Sequence, residues 1–160
     1  MRECRTLEDG CTVCDEQLAQ PSQNAVFTLS TTNGWDASAV SIDSFYGDCY
    51  TQFSVTAAAG IAVGITDRRV SGTPADVKHG VLIQSINGVS FAVSAERGIP
   101  VSEYIRHKAD NEYRVEMFGN RASVLARVDG AWSMLSDRVA LFSAKRIVMA
   151  ALYSGQDSVE

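Results

Sequence analysis

The chain has 160 residues, of which 46% are hydrophobic, and its formal net charge is −5. This length and composition fit one globular domain with a full hydrophobic core. The acidic balance excludes the basic surface of a nucleic-acid-binding protein, and the lack of any run of 18 apolar residues argues against insertion into a membrane.

Residues 1–24 differ from the rest of the chain and are predicted to form a short N-terminal arm. Asp9-Gly10 lies between two short β-prone runs, which is typical of a hairpin. The polar segment that follows is interpreted as a linker. We expect this arm to dock on another molecule or on a second copy of the chain, and a frayed terminus is the alternative.

Three of the four cysteines lie in this arm: Cys4, Cys11 and Cys14. We interpret them as part of an assembly arm. Their chemical state stays open between free thiols, a disulfide from Cys4 to Cys11 or Cys14, and a metal site completed by Cys49. A single Cys-x-x-Cys without a second pair is a weak indication of zinc, so we predict no metal site and no cofactor.

Residues 25–160 are predicted to form one β domain. The predicted strands are 25–31, 38–46, 48–57, 61–65, 80–86, 89–93, the two strands of a meander within 112–130, and 146–153. About ten short strands at even spacing, joined by Asn-Gly, Gly-Asn and Asp-Gly turns, indicate an all-β antiparallel sandwich. A jelly roll is the favoured variant.

Alternation along these strands predicts which side chains are buried. In the meander, Tyr113, Val115 and Met117 share one side, and in strand 48–57 the side that carries Cys49 is the more apolar. Gly64 predicts a close backbone approach or a bulge. The segment 94–100 is predicted to be a loop, 101–108 a helical turn or a short strand, and 132–135 a short strand or turn.

No catalytic constellation is recognisable, so we predict that the chain is not an enzyme. The two histidines, His79 and His107, are predicted to lie in separate loops, with His107 exposed between two basic neighbours. Glu112 and Glu116 share one side of a strand, as the paired carboxylates of a glycosidase could. Because Arg114 lies between them, solvent-facing charge is the simpler interpretation.

Ligand binding is harder to exclude, because sugars are bound by an aromatic ring and a few polar groups without any special motif. Trp35 and Trp132 follow turn residues, and the long polar connection 67–79 carries Arg68 and Arg69. We predict these four residues as ligand contacts. The alternatives are that the tryptophans cap the core and that the connection is an ordinary solvated loop.

The meander, with Ile61–Ile65 upstream and the apolar run Ile147–Tyr153 downstream, resembles the concanavalin-like sandwiches over about residues 25–155. The closest similarity is to lectin-like and SPRY-like modules of tailed-phage tail and fibre proteins. This resemblance implies a jelly-roll module on a virion, made in the host cytoplasm, that contacts host-surface carbohydrate or other virion proteins. It also implies a homo-oligomer held by terminal arms. The acidic signature of the catalytic members is missing.

The first hypothesis is therefore a non-enzymatic, lectin-like virion protein of the tail or fibre that recognises host-surface glycan. A purely structural capsid or tail decoration protein with no ligand is the alternative, in which the arm would be the functional part. An enzyme acting on polysaccharide is the third, and it would depend on Glu112 and Glu116.

Overall fold

The computed structural model describes residues 4–6, 12–14, 26–27, 34–35, 37–40, 45–57, 60–67, 73–140, 145–153 and 158–159. Within these ranges the chain forms short and long β-strands and one turn of 3-10 helix. The strands are β1 (Cys4–Thr6), β2 (Thr12–Cys14), β3 (Val26–Phe27), β4 (Ala37–Val40), β5 (Phe45–Tyr46), β6 (Cys49–Ala57), β7 (Gly60–Thr66), β8 (His79–Ile86), β9 (Val89–Glu96), β10 (Ile99–Pro100), β11 (Ile105–Arg106), β12 (Glu112–Phe118), β13 (Arg121–Val128), β14 (Ala131–Val139), β15 (Lys145–Leu152) and β16 (Ser158–Val159). The 3-10 turn is Pro74–Asp76.

Two antiparallel sheets form a sandwich, which confirms the predicted fold class. One sheet has eight strands in the order β10-β9-β8-β7-β15-β4, with β11 also pairing with β9 and β5 with β15. The other sheet has six strands in the order β14-β13-β12-β6-β16-β3. Because β3 and β16 belong to this second sheet, the sandwich draws on the chain from Val26 to Val159.

The core lies between the two sheets and follows the predicted alternation. Tyr113, Val115 and Met117 are fully buried, and so is the side of β6 that carries Cys49. From the eight-stranded sheet, β7 contributes Ile61, Val63 and Ile65 to the same cluster. Burial raises the pKa of the Cys49 thiol, since a thiolate is poorly solvated there. A buried thiol of this kind behaves as a small apolar side chain.

A second apolar cluster lies on the outer side of the eight-stranded sheet, which we call the back face. Its residues are Ala62, Val77, Leu82, Val93, Ala95, Met149 and Ala151, with Trp35 packed against them. Gly64 and Gly80 lie opposite each other in β7 and β8. A Cβ on Gly64 would come within 2.1 Å of the His79 carbonyl oxygen. The predicted close approach at Gly64 is thus confirmed, and the pairing there is regular, without a bulge.

Tight turns join the long strands. Asn87-Gly88, Arg97-Gly98 and Asp129-Gly130 each combine two positive φ angles, as two-residue hairpins of type I′ require. The turn at Arg97-Gly98 overturns the prediction of a loop over 94–100, because β9 continues to Glu96 and β10 returns beside it. Arginine is an unusual residue at positive φ, so the sequence carried little signal for this hairpin.

The segment after the meander is longer than predicted. β14 extends from Ala131 to Val139 along β13, with a register shift opposite Val124 and Leu125. This bulge breaks the strict alternation of buried and exposed residues, which explains why the sequence suggested a short strand or turn. The 101–108 segment contains the short strand β11, one of its two predicted alternatives.

The predicted hairpin of the arm is present as β1 and β2, which form a separate two-stranded sheet. Their register places Cys4 opposite Cys14. Directly opposed residues in an antiparallel pair have a Cα separation compatible with a disulfide. Cys11 lies outside the described residues. The pairing of β1 and β2 does not test whether the arm serves in assembly, so that role stays a prediction.

Candidate ligand-binding face

The outer side of the six-stranded sheet is polar and accessible, in contrast to the back face. We call it the front face. By register and alternation it carries Tyr50 and Gln52 from β6, Glu112, Arg114 and Glu116 from β12, Ser123, Leu125 and Arg127 from β13, and Trp132 and Met134 from β14. Nearly all of these side chains are half-buried or exposed because no further layer of the described chain covers them. An aromatic and charged surface of this kind is where a binding site is expected.

Arg114 is the centre of the front face. Its guanidinium carbon lies 4.6 Å from the centre of the Tyr50 ring and 4.7 Å from that of the Trp132 ring. Both distances fit cation–π contacts. β12 and β6 are direct neighbours, whereas Trp132 reaches Arg114 across β13 from the edge strand β14. Residues that are distant in sequence thus form one aromatic–cation cluster.

Hydrogen bonds fix the orientation of Arg114. Its Nε and Nη2 donate to Gln52 Oε1 at 3.1 and 2.9 Å, and its Nη1 donates to Glu116 Oε1 at 3.2 Å. These bonds use three of the five donor hydrogens of the guanidinium. Two donors remain in a fixed direction, so an incoming acceptor would meet an ordered group and little side-chain entropy would be lost on binding.

The two carboxylates proposed for catalysis are each held by an arginine. Glu112 Oε2 accepts from Arg127 Nη1 at 3.3 Å and from Gln52 Nε2 at 3.2 Å, and Glu116 pairs with Arg114. Both carboxylates are therefore already engaged by polar side chains of the same face. This arrangement suits hydrogen bonding to a ligand better than proton transfer.

The four predicted contact residues have different surroundings. Trp132 belongs to the front face and is half-buried beside Arg114. Trp35 instead packs edge-on against Tyr153, with ring centres 5.5 Å apart, and covers the apolar cluster of the back face. That position fits the alternative interpretation of Trp35 as a core cap. Arg68 and Arg69 lie outside the described residues.

Sequence reasoning missed Gln52 and treated Arg114 only as a solvated charge. Their side chains meet because the strands align Arg114 opposite Gln52. The available signal was the polar side of β6 and of β12, which the alternation already separated from the core. Alternation does not give the order of strands in the sheet, so it could not show that Gln52 and Arg114 are neighbours.

His107 is not the exposed loop residue that its basic neighbours suggested. It is 9% exposed, and its Nδ1 lies 2.7 Å from the hydroxyl of Tyr113. Its Nε2 makes no hydrogen bond of good geometry among the described residues. Burial lowers the pKa of His107, against smaller opposing effects of the Val55 backbone and Asp110.

His79 is also buried, which the prediction of a loop position missed. It is the first residue of β8, and its Nδ1 lies 3.5 Å from Glu96 Oε1. Burial lowers the pKa of His79, and the Glu96 carboxylate partly offsets this effect. His79 and His107 lie in separate places and do not form a catalytic pair.

The described residues include no cluster of three or more histidine, cysteine, aspartate or glutamate side chains able to hold a metal ion. Over the same residues, no helix has the length and apolarity needed to span a bilayer.

No family model and no curated protein matches this sequence. Solved structures do match its fold. The TRIM65 PSpry domain is similar with a TM-score of 0.55 at 10% identity, over 79% of this chain and 70% of that one. A functionally unknown protein from Saccharomyces cerevisiae is similar with a TM-score of 0.52 at 12% identity, over 84% of this chain and 80% of that one.

Stonustoxin is similar with a TM-score of 0.55 at 8% identity, over 77% of this chain but 21% of the toxin chain. At such low identities, the likenesses concern the fold alone. They include no indication of a phage tail protein, so that part of the resemblance stays a prediction. The fold of the described chain is an antiparallel β-sandwich similar to that of the PSpry domain, in agreement with the SPRY-like part of the resemblance.

Proposed function

We propose that this chain is a non-enzymatic binding module whose front face recognises carbohydrate. The observation that carries the proposal is the Arg114 guanidinium held between Tyr50 and Trp132 on a sheet surface that no other layer of the described residues covers. Sugar recognition needs an aromatic surface for the apolar side of the ring and fixed donors and acceptors for its hydroxyl groups. The front face supplies both within one cluster.

Each component has a defined role in this proposal. Trp132, at the edge strand, offers ring surface that Arg114 does not cover. The two unused Arg114 donors bind a hydroxyl or carboxylate oxygen of the ligand. Glu112 and Gln52 supply acceptor and amide groups beside it, already oriented by Arg127 and by each other. A sugar bound on an open sheet face makes few contacts, so affinity for one site is low and depends on multivalency.

The same arrangement supports a module without catalytic activity. Glycoside hydrolysis needs one carboxylic acid that is protonated near neutral pH. The two candidates are instead each engaged in an ion pair, Glu112 with Arg127 and Glu116 with Arg114. We therefore propose binding without turnover, to be tested by incubating any bound oligosaccharide with the protein and looking for cleavage products.

The proposal extends to a virion setting, in which the module belongs to a tail or fibre and contacts host-surface glycan as a homo-oligomer. This part is supported by the sequence resemblance and by the separate β1–β2 hairpin of the arm. The alternative is a structural capsid or tail decoration protein, for which the arm would be sufficient. The native mass with and without residues 1–24 separates the two roles of the arm: an oligomer that becomes monomeric indicates self-assembly, and a monomer in both forms indicates a different partner.

The direct test is a glycan array with the protein displayed multivalently, followed by titration of each hit with Trp132 fluorescence as the readout. A Trp35→Phe background leaves Trp132 as the single tryptophan. We expect Arg114→Met, followed through Trp132 fluorescence, to weaken binding about tenfold or more, while Trp35→Phe retains it. Trp132→Ala lacks the fluorescent reporter and is followed by isothermal titration calorimetry, where we expect a loss of the same size. An array without hits, or hits that survive both front-face substitutions, would refute carbohydrate binding at this face.

A further inference from the structure

A polar depression of about 240 Å³ lies at one end of the sandwich, away from the centre of the front face. It lies where the β8–β9 turn, the end of β6 and the segment after β11 meet. The lining includes Thr56, Gly88, Ser90, Arg106, His107 and Lys108. Both sheets contribute to it, because β6 belongs to the six-stranded sheet whereas β9 and β11 belong to the other.

Arg106 is the notable charge of this depression. Its side chain is exposed and makes no ion pair with any described residue, although its backbone carbonyl is anchored by Asn111 Nδ2 at 3.2 Å. An arginine at a fixed backbone position, whose guanidinium forms no ion pair within the described part of the chain, is suited to a planar or tetrahedral oxyanion. In a chain with a net charge of −5, an arginine beside a concavity that pairs with no carboxylate of the described residues is a specific local feature.

Lys108 is the second cation of the depression, and it already forms an ion pair with Asp129. Its Nζ lies 3.0 Å from Asp129 Oδ1, and both side chains are largely exposed. Exposed pairs of this kind contribute little and exchange readily with a competing anion. Lys108 can therefore turn towards a ligand in the depression without a large loss, and it adds to the positive potential there.

His107 forms a rigid wall of the depression. Its ring is held on one side by the Tyr113 hydroxyl at 2.7 Å, and Asn111 Nδ2 approaches the same hydroxyl at 3.4 Å. This buried network connects the depression to the fully buried Tyr113 and so to the core between the sheets. A wall that is fixed in this way keeps the concavity open without a ligand, which lowers the ordering cost of binding.

We propose that this depression binds a small oxyanion, namely the carboxylate, phosphate or sulfate group of a ligand, with Arg106 as its principal contact. Lys108 adds charge, and the hydroxyl of Thr56 adds a hydrogen-bond donor on the opposite side. The volume accommodates an anion together with a small attached group. This site is separate from the front face and does not depend on carbohydrate binding there.

The two histidines make the test direct, because one lies at the depression and the other does not. His79 begins β8, whereas the depression lies beside the β8–β9 turn at the opposite end of that strand. Imidazole resonances in an NMR titration therefore report on the site through His107 and on non-specific effects through His79. The probes are inorganic phosphate, sulfate, acetate and glucuronate, added at constant ionic strength to the full chain at pH 7.5.

We expect a saturable shift of the His107 resonances with at least one probe, while His79 stays unchanged. Arg106→Gln should weaken the apparent affinity about tenfold or more, and Lys108→Gln should weaken it less, because Lys108 is shared with Asp129. Arg97→Gln is the matched control: it removes an exposed arginine at the other end of β9 and should leave binding unchanged. Preference for phosphate and sulfate would identify a tetrahedral ligand, and preference for acetate and glucuronate a carboxylate.

Three results would overturn the proposal: no saturation with any probe, parallel movement of both histidines, or equal affinity in wild type and Arg106→Gln. An unchanged His79 signal in Arg106→Gln and Lys108→Gln shows that these variants retain the fold. Arg97 lies near His79 and acts on its pKa, so the fold of Arg97→Gln is checked by its circular dichroism spectrum instead. Carbohydrate binding by the front face is measured independently through Trp132, so failure of one proposal leaves the other intact.

Discussion

The two outer faces of this sandwich have the same secondary structure but opposite surroundings. The back face carries small and aliphatic side chains that are almost fully buried, and Gly64 and Gly80 let backbone approach backbone there. The front face carries arginine, glutamate, glutamine and aromatic side chains that remain accessible. Among the described residues, one face is therefore packed with apolar side chains, and the other leaves polar and aromatic side chains accessible.

The two tryptophans show what this difference means for a single residue type. Both follow turn residues, and both are half-buried. Trp35 contacts Tyr153 and the apolar cluster, whereas Trp132 contacts the guanidinium of Arg114. Exposure alone does not separate a structural tryptophan from a ligand contact, but the chemistry of the neighbours does.

The largest effect is expected at Gly64 on the back face. A Cβ added by Gly64→Ala would lie 2.1 Å from the His79 carbonyl oxygen and 2.5 Å from the Gly80 Cα. These are backbone atoms, so β7 and β8 would have to separate. We expect the free energy of unfolding to fall by about 3 kcal/mol or more, measured by urea denaturation.

Gly34→Ala is the matched control, because no atom of the described residues lies within 4 Å of a Cβ at that position. It should change the free energy of unfolding by less than about 0.5 kcal/mol. A small effect of Gly64→Ala as well would mean that the back face is not closely packed.

The tryptophan pair tests the comparison most directly. We expect Trp35→Ala to lower the free energy of unfolding by about 2–3 kcal/mol, because a large half-buried ring is removed from an apolar cluster. Trp132→Ala should lower it by less than about 1 kcal/mol, since one exposed cation–π contact is lost. Denaturation curves of the two variants give the contrast, and a reversed order would show that the front face is the structural one.

A smaller effect is expected for the coupling between Arg114 and Trp132. A double-mutant cycle with Arg114→Met and Trp132→Ala should give about 0.5–1 kcal/mol of interaction free energy. The control cycle pairs Trp132→Ala with Arg121→Met, because Arg121 forms an ion pair with Asp137. Equal coupling energies in both cycles would argue against a specific contact.

The buried histidines predict how stability depends on pH. Burial lowers the pKa of both His79 and His107, so the unfolded chain binds protons more readily than the folded one. Stability is therefore complete above the ordinary histidine pKa of about 6.5 and is lost as the pH falls through the lower folded values. Urea midpoints between pH 7.5 and pH 5 should decrease, and the decrease should be shallower in a His79→Gln/His107→Gln variant. If the urea midpoints of wild type and of this variant decrease with the same slope, the loss of stability at low pH comes from carboxylates and not from the two histidines.

The smallest effect is expected at Asp137. Hydrogen bonds from Arg121, helped by Ser123, lower the pKa of this carboxyl, but both members of the pair are exposed on the edge of the front face. Exposed ion pairs contribute little because water and salt screen them. Asp137→Asn should leave the urea midpoint unchanged within error at physiological salt, with Asp110→Asn as control. A clear decrease of the urea midpoint in Asp137→Asn would show that the ion pair at the edge of the front face is more rigid than an ordinary exposed pair.

Alternation and turn chemistry made much of the fold predictable. The buried sides of β6 and β12 and the hairpins at Asn87-Gly88 and Asp129-Gly130 follow from local patterns that the structure retains. The hairpin at Arg97-Gly98 and the bulge in β14 were missed, because neighbouring strands impose an arginine at positive φ and a broken alternation. The histidines were misplaced for a related reason: His107 follows Arg106 and precedes Lys108, yet contacts with Tyr113 and the core bury it.

The sequence by itself determined that this chain is an antiparallel β-sandwich, because a period of two and glycine-containing turns are properties of adjacent residues. It also determined which side of most strands faces the core. Only the tertiary structure decided that β14 and β6 lie on either side of the β12–β13 pair, so that Trp132 and Tyr50 meet at Arg114. Such a cluster depends on contacts between residues on different strands, 64 positions apart for Tyr50 and Arg114 and 18 for Arg114 and Trp132. No local pattern encodes these contacts, and both proposed binding sites combine strands that are distant in sequence.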